Sequence, residues 1–364
     1  MNYKTLLITL LFLVHFKTIS YSQILEAGFN KEEYKEMLLI SPRNSDDPDF
    51  YKDIPEPENY TKMYQSKALG LDNSWSLWKH KNNKIAVISI RGTTQKTVSW
   101  LANFYMAMVP AKGEITYKTD SVFKYELAPN PKAGVHTGWL LSLAYLHTDI
   151  IKKMKTEYDN GIRNFIIMGH SQGGAITYLL NAYLKNLQDI GELSKDITLK
   201  TYCSAAPKPG NTYFAYYYEY INQGGWAFNV VNSADWVPES PISIQTLDDF
   251  NPINPFVNAE SLIKKQKFPK NVVMHYMYNR LHNSAVKTQK IYEKYLGVKV
   301  SGIVEENLEG FVPPKYLKSN NYVRTGSIII LYADDDYFLK FSDKEDIFVH
   351  HLNNAYLYLL SKLK

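Results

Sequence analysis

Apolar positions recur along this chain in two rhythms. Between residues 84 and 232, short near-continuous apolar runs alternate with longer stretches whose apolar residues sit three and four apart. The runs at 84–90, 162–168, 199–205 and 226–232 predict strands, and the run 84–90 is apolar enough for a sheet centre. The stretches from Val135 through Met154, at 175–184 and at 213–221 predict helices with one apolar face. Strands and helices in alternation build a mostly parallel sheet covered on both faces. An earlier run at 74–80 pairs with 84–90 across Lys81-Asn82-Asn83. Asn30-Lys31-Glu32-Glu33 has the form of a capping box and opens a helix through Leu39. Residues 42–60, rich in Pro, Asp and Asn, read as an irregular surface wrap.

Trp100, Leu101, Phe104 and Met108 share one helical face, which predicts a helix over 100–109 ended by Pro110. The section 113–131 is polar and strand-like or irregular. Beyond Pro241 the alternation breaks, and residues 241–320 read as an insertion of helices and loops. A strand signal returns at 326–332. Asp334-Asp335-Asp336 then reads as a turn, 337–341 as the returning strand of a hairpin, and 352–363 as a final helix. There are no internal repeats.

Composition changes this picture little. The 364 residues are 45% hydrophobic and 21% charged, enough for one large core. The formal net charge is +5, or +3 without Lys4 and Lys17 (5 − 2), which is too mild and too evenly spread to indicate nucleic acid. A slightly basic surface favours anionic membranes, weakly. The single cysteine, Cys203, permits no internal disulfide. The N-terminus is more informative. Met1 to Lys4 is a basic start, residues 5–14 are an apolar core too short to span a bilayer, and Ser20-Tyr21-Ser22 places small residues at −3 and −1 before Gln23. That three-part pattern predicts a cleaved signal over 1–22 and an exported domain over 23–364, secreted or periplasmic. No cysteine follows the apolar core, and no other stretch reaches transmembrane length, so no stable anchor is expected.

The candidate chemistry centres on Gly169-His170-Ser171-Gln172-Gly173-Gly174, between an apolar run and a helical stretch. Gly-x-Ser-x-Gly in that context fits a nucleophile elbow, a strained strand-to-helix turn that presents a serine hydroxyl. A serine needs a base, and the base an orienting acid. On such a sheet they follow the serine in the order acid, then histidine. Asp235 directly follows the run 226–232, at the strand's carboxyl end, where open α/β sheets keep their sites. Asp248, Asp249 and Asp334 to Asp336 sit in turn-like clusters. Four histidines come later: His275 and His282 in the insertion, and His350 and His351 before the last helix. Extending that helix's apolar register backwards puts His351 nearer the buried side, so His351 is the candidate base and His350 the alternative. Two oxyanion donors are also needed. The backbone amide of Gln172 is one, and Thr93, in the turn after the run 84–90, supplies the other.

Four blocks in order give the chain a resemblance to the class 3 lipases, fungal-type enzymes with an α/β-hydrolase fold. They are Ile90-Arg91-Gly92-Thr93, Val135-His136-Thr137-Gly138-Trp139, the elbow at 169–174, and residues 201–211 with 229–238. The similarity spans about 84–241. It implies an α/β-hydrolase with Ser171 as nucleophile, Asp235 as acid, Thr93 and Gln172 as the oxyanion hole, and the helix of 100–109 as a lid. Two features depart from the family. Cys203 stands in place of a glycine, and the interval from Asp235 to the histidine is long. The expected activity is hydrolysis of carboxylic esters of the acylglycerol type, without metal or organic cofactor. The partner expected is a lipid or ester substrate, with a lipid interface as one setting. The rivals are a phospholipase or an esterase of polysaccharide or plant esters on the same triad, and an inactive surface binding protein.

Overall fold

The computed structural model describes residues 25–363. The expected signal segment, 1–22, lies outside them. Seven strands form the central sheet and lie side by side in chain order: β1 (Tyr60–Gln65), β2 (Trp75–His80), β3 (Ile85–Ile90), β4 (Asn164–His170), β5 (Thr198–Ser204), β6 (Ala227–Asn232) and β7 (Ser327–Leu331). The pairs β1–β2 and β2–β3 are antiparallel, and β3 to β7 are all parallel. The register aligns Ile90 with Gly169, and Ser204 with both His170 and Val230, so the carboxyl ends of β3 to β6 form one continuous edge.

The helices include α1 (Lys31–Ile40), α2 (Thr97–Phe104), α3 (Thr137–Asp159), α4 (Gln172–Asp189), α5 (Thr212–Ile221), α6 (Lys270–Glu293) and α7 (Asn353–Lys362). The apolar runs read as doubly buried strands are so because successive side chains enter different cores. Ala86, Ile88, Phe165 and Ile167 pack into the core under α3, α4 and α5. Their neighbours Val87, Ile166 and Met168 pack into a second core under α1 and α7. The start of α1 is set by Asn30, whose side chain accepts from the Glu33 amide.

Two local expectations are overturned. The helix predicted over 100–109 is α2, which ends at Phe104. Met108–Pro110 is instead a strand, antiparallel to Gly134–His136. Long-range pairing outweighs the helical apolar spacing there, because Met108 and Val109 reach full burial as strand residues. Gly138 lets α2 come close, since a Cβ there would overlap the Ala102 carbonyl. The C-terminal hairpin is also absent. Asp335–Lys340 is a helix, capped by Asp334, whose carboxylate accepts from the Tyr337 amide at 2.9 Å. The Tyr337 and Phe341 rings, four residues apart, meet at 4.8 Å with a 30° tilt in the second core. A strand would put both rings on one face but about 13 Å apart, whereas one helical turn lets them touch.

The insertion leaves and rejoins the body at one point. The Ile244 amide donates to the Asn320 carbonyl in an isolated antiparallel bridge. Between these residues lie the helix Ala259–Lys264, α6, a π-helical turn Lys294–Lys299 and the helix Val300–Asn307.

Candidate active site

The turn between β4 and α4 is as tight as its sequence requires. Ser171 has φ 60 and ψ −131, a strained backbone for a residue with a side chain. A Cβ at Gly173 would overlap the Ile90 carbonyl. Only glycine lets the first turn of α4 sit against the end of β3, and this contact brings Arg91-Gly92-Thr93 beside Ser171.

Asp235 lies just beyond β6 and His351 just before α7, 116 residues apart. His351 Nδ1 donates to Asp235 Oδ2 at 2.7 Å. The same oxygen accepts from the Tyr356 hydroxyl at 2.8 Å, and Oδ1 accepts from the Val237 amide at 2.9 Å. Asp235 is thus buried with both oxygens bonded, and its acceptor role fixes the proton of a neutral His351 on Nδ1. His351 Nε2 is buried and has no partner among the described residues. A bare ring nitrogen beside an oriented one is the form of a general base. The competing histidines go elsewhere. His350 Nδ1 meets the Tyr337 hydroxyl at 2.9 Å, His275 bonds Asn279, and His282 stacks on Tyr278.

His170 buttresses this pair from the elbow. Its Nε2 donates to the His351 carbonyl at 2.7 Å, which leaves Nδ1 as an acceptor from the Ser204 hydroxyl at 3.0 Å. Ser204 in turn accepts from Tyr34 at 2.6 Å. Burial pushes His170 down to about 3, so the ring stays neutral and the chain of donors keeps one direction.

Thr93 and Gln172 are tied together by Asn103, near the end of α2. Its Nδ2 donates to Thr93 Oγ1 at 2.9 Å, and its Oδ1 accepts from Gln172 Nε2 at 2.9 Å and Trp139 Nε1 at 3.1 Å. Thr93, already accepting, keeps its own hydroxyl proton free to donate. Gln172 is the first residue of α4, so its amide has no intrahelical acceptor. The turn carrying Thr93 is braced by Asp72, which takes Thr94 Oγ1 at 2.7 Å, Lys96 at 2.9 Å and Arg91 at 3.2 Å. Burial works to raise the Asp72 carboxyl, but the bonds from Lys96 and Thr94 and the charges of Arg91 and Lys96 hold it below its ordinary value.

An aromatic rim borders the site. Phe104, Trp100, Phe348 and Trp236 follow one another at 6.1, 6.3 and 5.8 Å between ring centres, and Phe348 is 6.0 Å from His351. The inner face of α2 is tied down through Ser99, Ala102 and Asn103, while Phe104 is 46% exposed.

Sequence reasoning missed Asn103, Tyr356 and the role of His170. Tyr356 reads as one more apolar position of the last helix, and Asn103 as a polar gap in an apolar one. No short-range signal marks either, because their partners come from distant segments.

A mostly parallel sheet with helices on both faces and a serine on the strand-to-helix turn defines an α/β-hydrolase fold. Within it, residues 87–244 match the family of lipases (class 3), as the sequence motifs suggested. That segment holds Thr93, Ser171, Gln172 and Asp235 but not His351. No curated protein is significantly similar in sequence to the chain. Similar solved structures include the Rhizomucor miehei lipase propeptide complex, 20% identical with a TM-score of 0.44 over 59% of this chain and 65% of that one. Rhizomucor miehei triacylglyceride lipase is 19% identical, with a TM-score of 0.43 over 59% and 77%. A triacylglycerol lipase from Penicillium expansum is 21% identical, with a TM-score of 0.38 over 50% and 64%. The chain therefore spans just under two thirds of the length of the first of these. Among the described residues, no helix is long and apolar enough to cross a membrane.

Proposed function

We propose that this chain is an exported serine hydrolase of carboxylic esters, acting on acylglycerol-type lipids. His351 Nε2 takes the proton of Ser171 as its Oγ attacks the ester carbonyl carbon. The negative charge that develops on the carbonyl oxygen is met by the Gln172 amide and by Thr93. Collapse of the tetrahedral intermediate breaks the ester C–O bond, and His351 gives its proton to the leaving alcohol. Water, deprotonated in turn by His351, attacks the acyl-serine and frees the acid. Asp235 holds the imidazole in the required tautomer and balances its charge while it is protonated.

The single observation that carries this reading is the 2.7 Å bond from His351 Nδ1 to Asp235, which leaves Nε2 bare. The match of residues 87–244 to class 3 lipases and the apolar rim of Trp100, Phe104, Trp236 and Phe348 favour a lipid ester over a polar one. Export rests on the three-part pattern of residues 1–22. The test is hydrolysis of short- and long-chain p-nitrophenyl esters by the mature protein beside Ser171→Ala and His351→Ala. Wild type turns over, with preference for the longer chains, and both variants fall by roughly 10⁴-fold or more. A wild type inert to every ester overturns the reading.

A further inference from the structure

The insertion carries a surface that the hydrolytic site does not use. α6 is 24 residues long, about 36 Å at 1.5 Å per residue. Only its last turns meet the body. Gln289 and Tyr292 are its buried residues, the Tyr292 hydroxyl reaches Met106, and just beyond it the Ala107 amide donates to the Leu296 carbonyl at 3.1 Å. The rest packs only against the short helix Ala259–Lys264 and otherwise faces solvent, with an apolar stripe. Val273, Met277 and Leu281, each four apart, are 55%, 57% and 73% exposed, and Phe268, just before the helix's first residue, is 82% exposed. Residues spaced by four share a face, so the stripe is continuous and nothing in the fold covers it.

Between Glu260 and Glu293 the charge around this stripe has one sign. From Ser261 to Tyr292 the chain has six lysines and one arginine and no aspartate or glutamate. All seven are exposed, and none pairs with a carboxylate among the described residues. A protein partner would need to be both strongly acidic and apolar over a narrow helix. A bilayer containing anionic lipid offers both properties in one plane: phosphate and carboxylate groups at the surface, hydrocarbon just beneath. An exposed helix with an apolar stripe and basic flanks is built to lie in that boundary.

We infer that α6, with the basic segment before it, docks the protein on lipid surfaces carrying negative charge. The root of α6 at Met106 and Ala107 ties the docked arm to the segment that follows α2, so docking holds the aromatic rim and Ser171 near the lipid. This deepens the hydrolase reading by naming the surface on which it acts, and its readout needs no turnover.

The test is co-sedimentation of the Ser171→Ala protein with phosphatidylcholine vesicles, with and without about a third phosphatidylserine, at 50 and 500 mM salt. Binding is expected to the anionic vesicles and to weaken at high salt. Each lysine near an anionic surface contributes about fivefold, so Lys264, Lys265, Lys267 and Lys270 all changed to Gln should lower partitioning roughly 100-fold or more. Met277→Asp with Leu281→Asp should abolish it. Both variants change exposed side chains, so circular dichroism should be unchanged, and in the Ser171 background they should still hydrolyse soluble short-chain esters. Equal binding to both vesicle types, or undiminished binding by either variant, overturns the inference. So does a dimer of wild type that Met277→Asp and Leu281→Asp dissolve, which would make a second copy the occupant. Failure of ester hydrolysis with vesicle binding intact would instead strike only at the hydrolase reading.

Discussion

Asp235→Asn tests the orientation of His351 with almost no change of shape. The hydrogen bonds at Asp235 determine how the new amide must sit. Oδ1 accepts from the Val237 amide at 2.9 Å, so the amide oxygen of the variant takes that place. Its NH2 then occupies the place of Oδ2 and faces His351 Nδ1 and the Tyr356 hydroxyl, formerly at 2.7 and 2.8 Å. A donor opposite Nδ1 makes that nitrogen an acceptor, and the imidazole proton moves to Nε2. In the proposed mechanism His351 is then protonated at the very atom that must take the serine proton. An inverted tautomer with intact geometry costs about 10⁴ in kcat, or roughly 5.5 kcal/mol of transition-state stabilisation. KM should change little, because Asp235 is buried away from substrate. The assay is steady-state hydrolysis of a p-nitrophenyl ester near pH 7.5, with thermal melting to establish folding. A folded variant within tenfold of wild-type kcat would refute the argument that Asp235 sets the tautomer.

Three further predictions rest on separate contacts. Thr93→Val removes the hydroxyl donor and the group that Asn103 holds, and should lower kcat by about 10²-fold with Thr93→Ser nearly normal; equal kcat in both variants would exclude the hydroxyl from the oxyanion hole. Gly173→Ala drives a Cβ into the Ile90 carbonyl and should separate α4 from the β3 turn, lowering the melting temperature and activity together; an unchanged melt would show that the contact is slack. His136 is buried and held neutral, its burial pushing it down to about 3 from 6.5, and His170 is lowered likewise. The unfolded chain takes up protons near pH 6.5 that the folded protein refuses until about pH 3, so these groups stabilise the fold above 6.5 and lose that contribution as pH falls. Urea denaturation should show stability dropping through this window, by up to about 1.4 kcal/mol per pH unit for His136; constant stability from pH 7 to 4 would count against it.

By itself, the sequence determined the features that rest on short-range chemistry. The sheet strands are legible because burial on both faces demands continuous apolar runs, and α3, α4 and α5 because their apolar residues recur at helical spacing. The elbow is legible because a strained turn and a close helix need small residues at fixed offsets from Ser171. Asp235 is legible as the acid candidate because it directly follows a central strand. Only the tertiary structure decided what depends on partners far along the chain. It ended α2 at Phe104, because Met108–Pro110 finds a strand partner in Gly134–His136. It made Asp335–Lys340 a helix where a turn and strand were expected, and this lets Tyr337 and Phe341 touch at 4.8 Å in one core. It set the direction of His350 and His351, which sequence register could only rank, by giving one to Tyr337 and the other to Asp235. It also brought Asn103 to Thr93 and Gln172, and Tyr356 to Asp235. A hydrogen bond across 116 or 121 residues leaves no periodicity behind. It exists only once the sheet has aligned the strand ends that carry it.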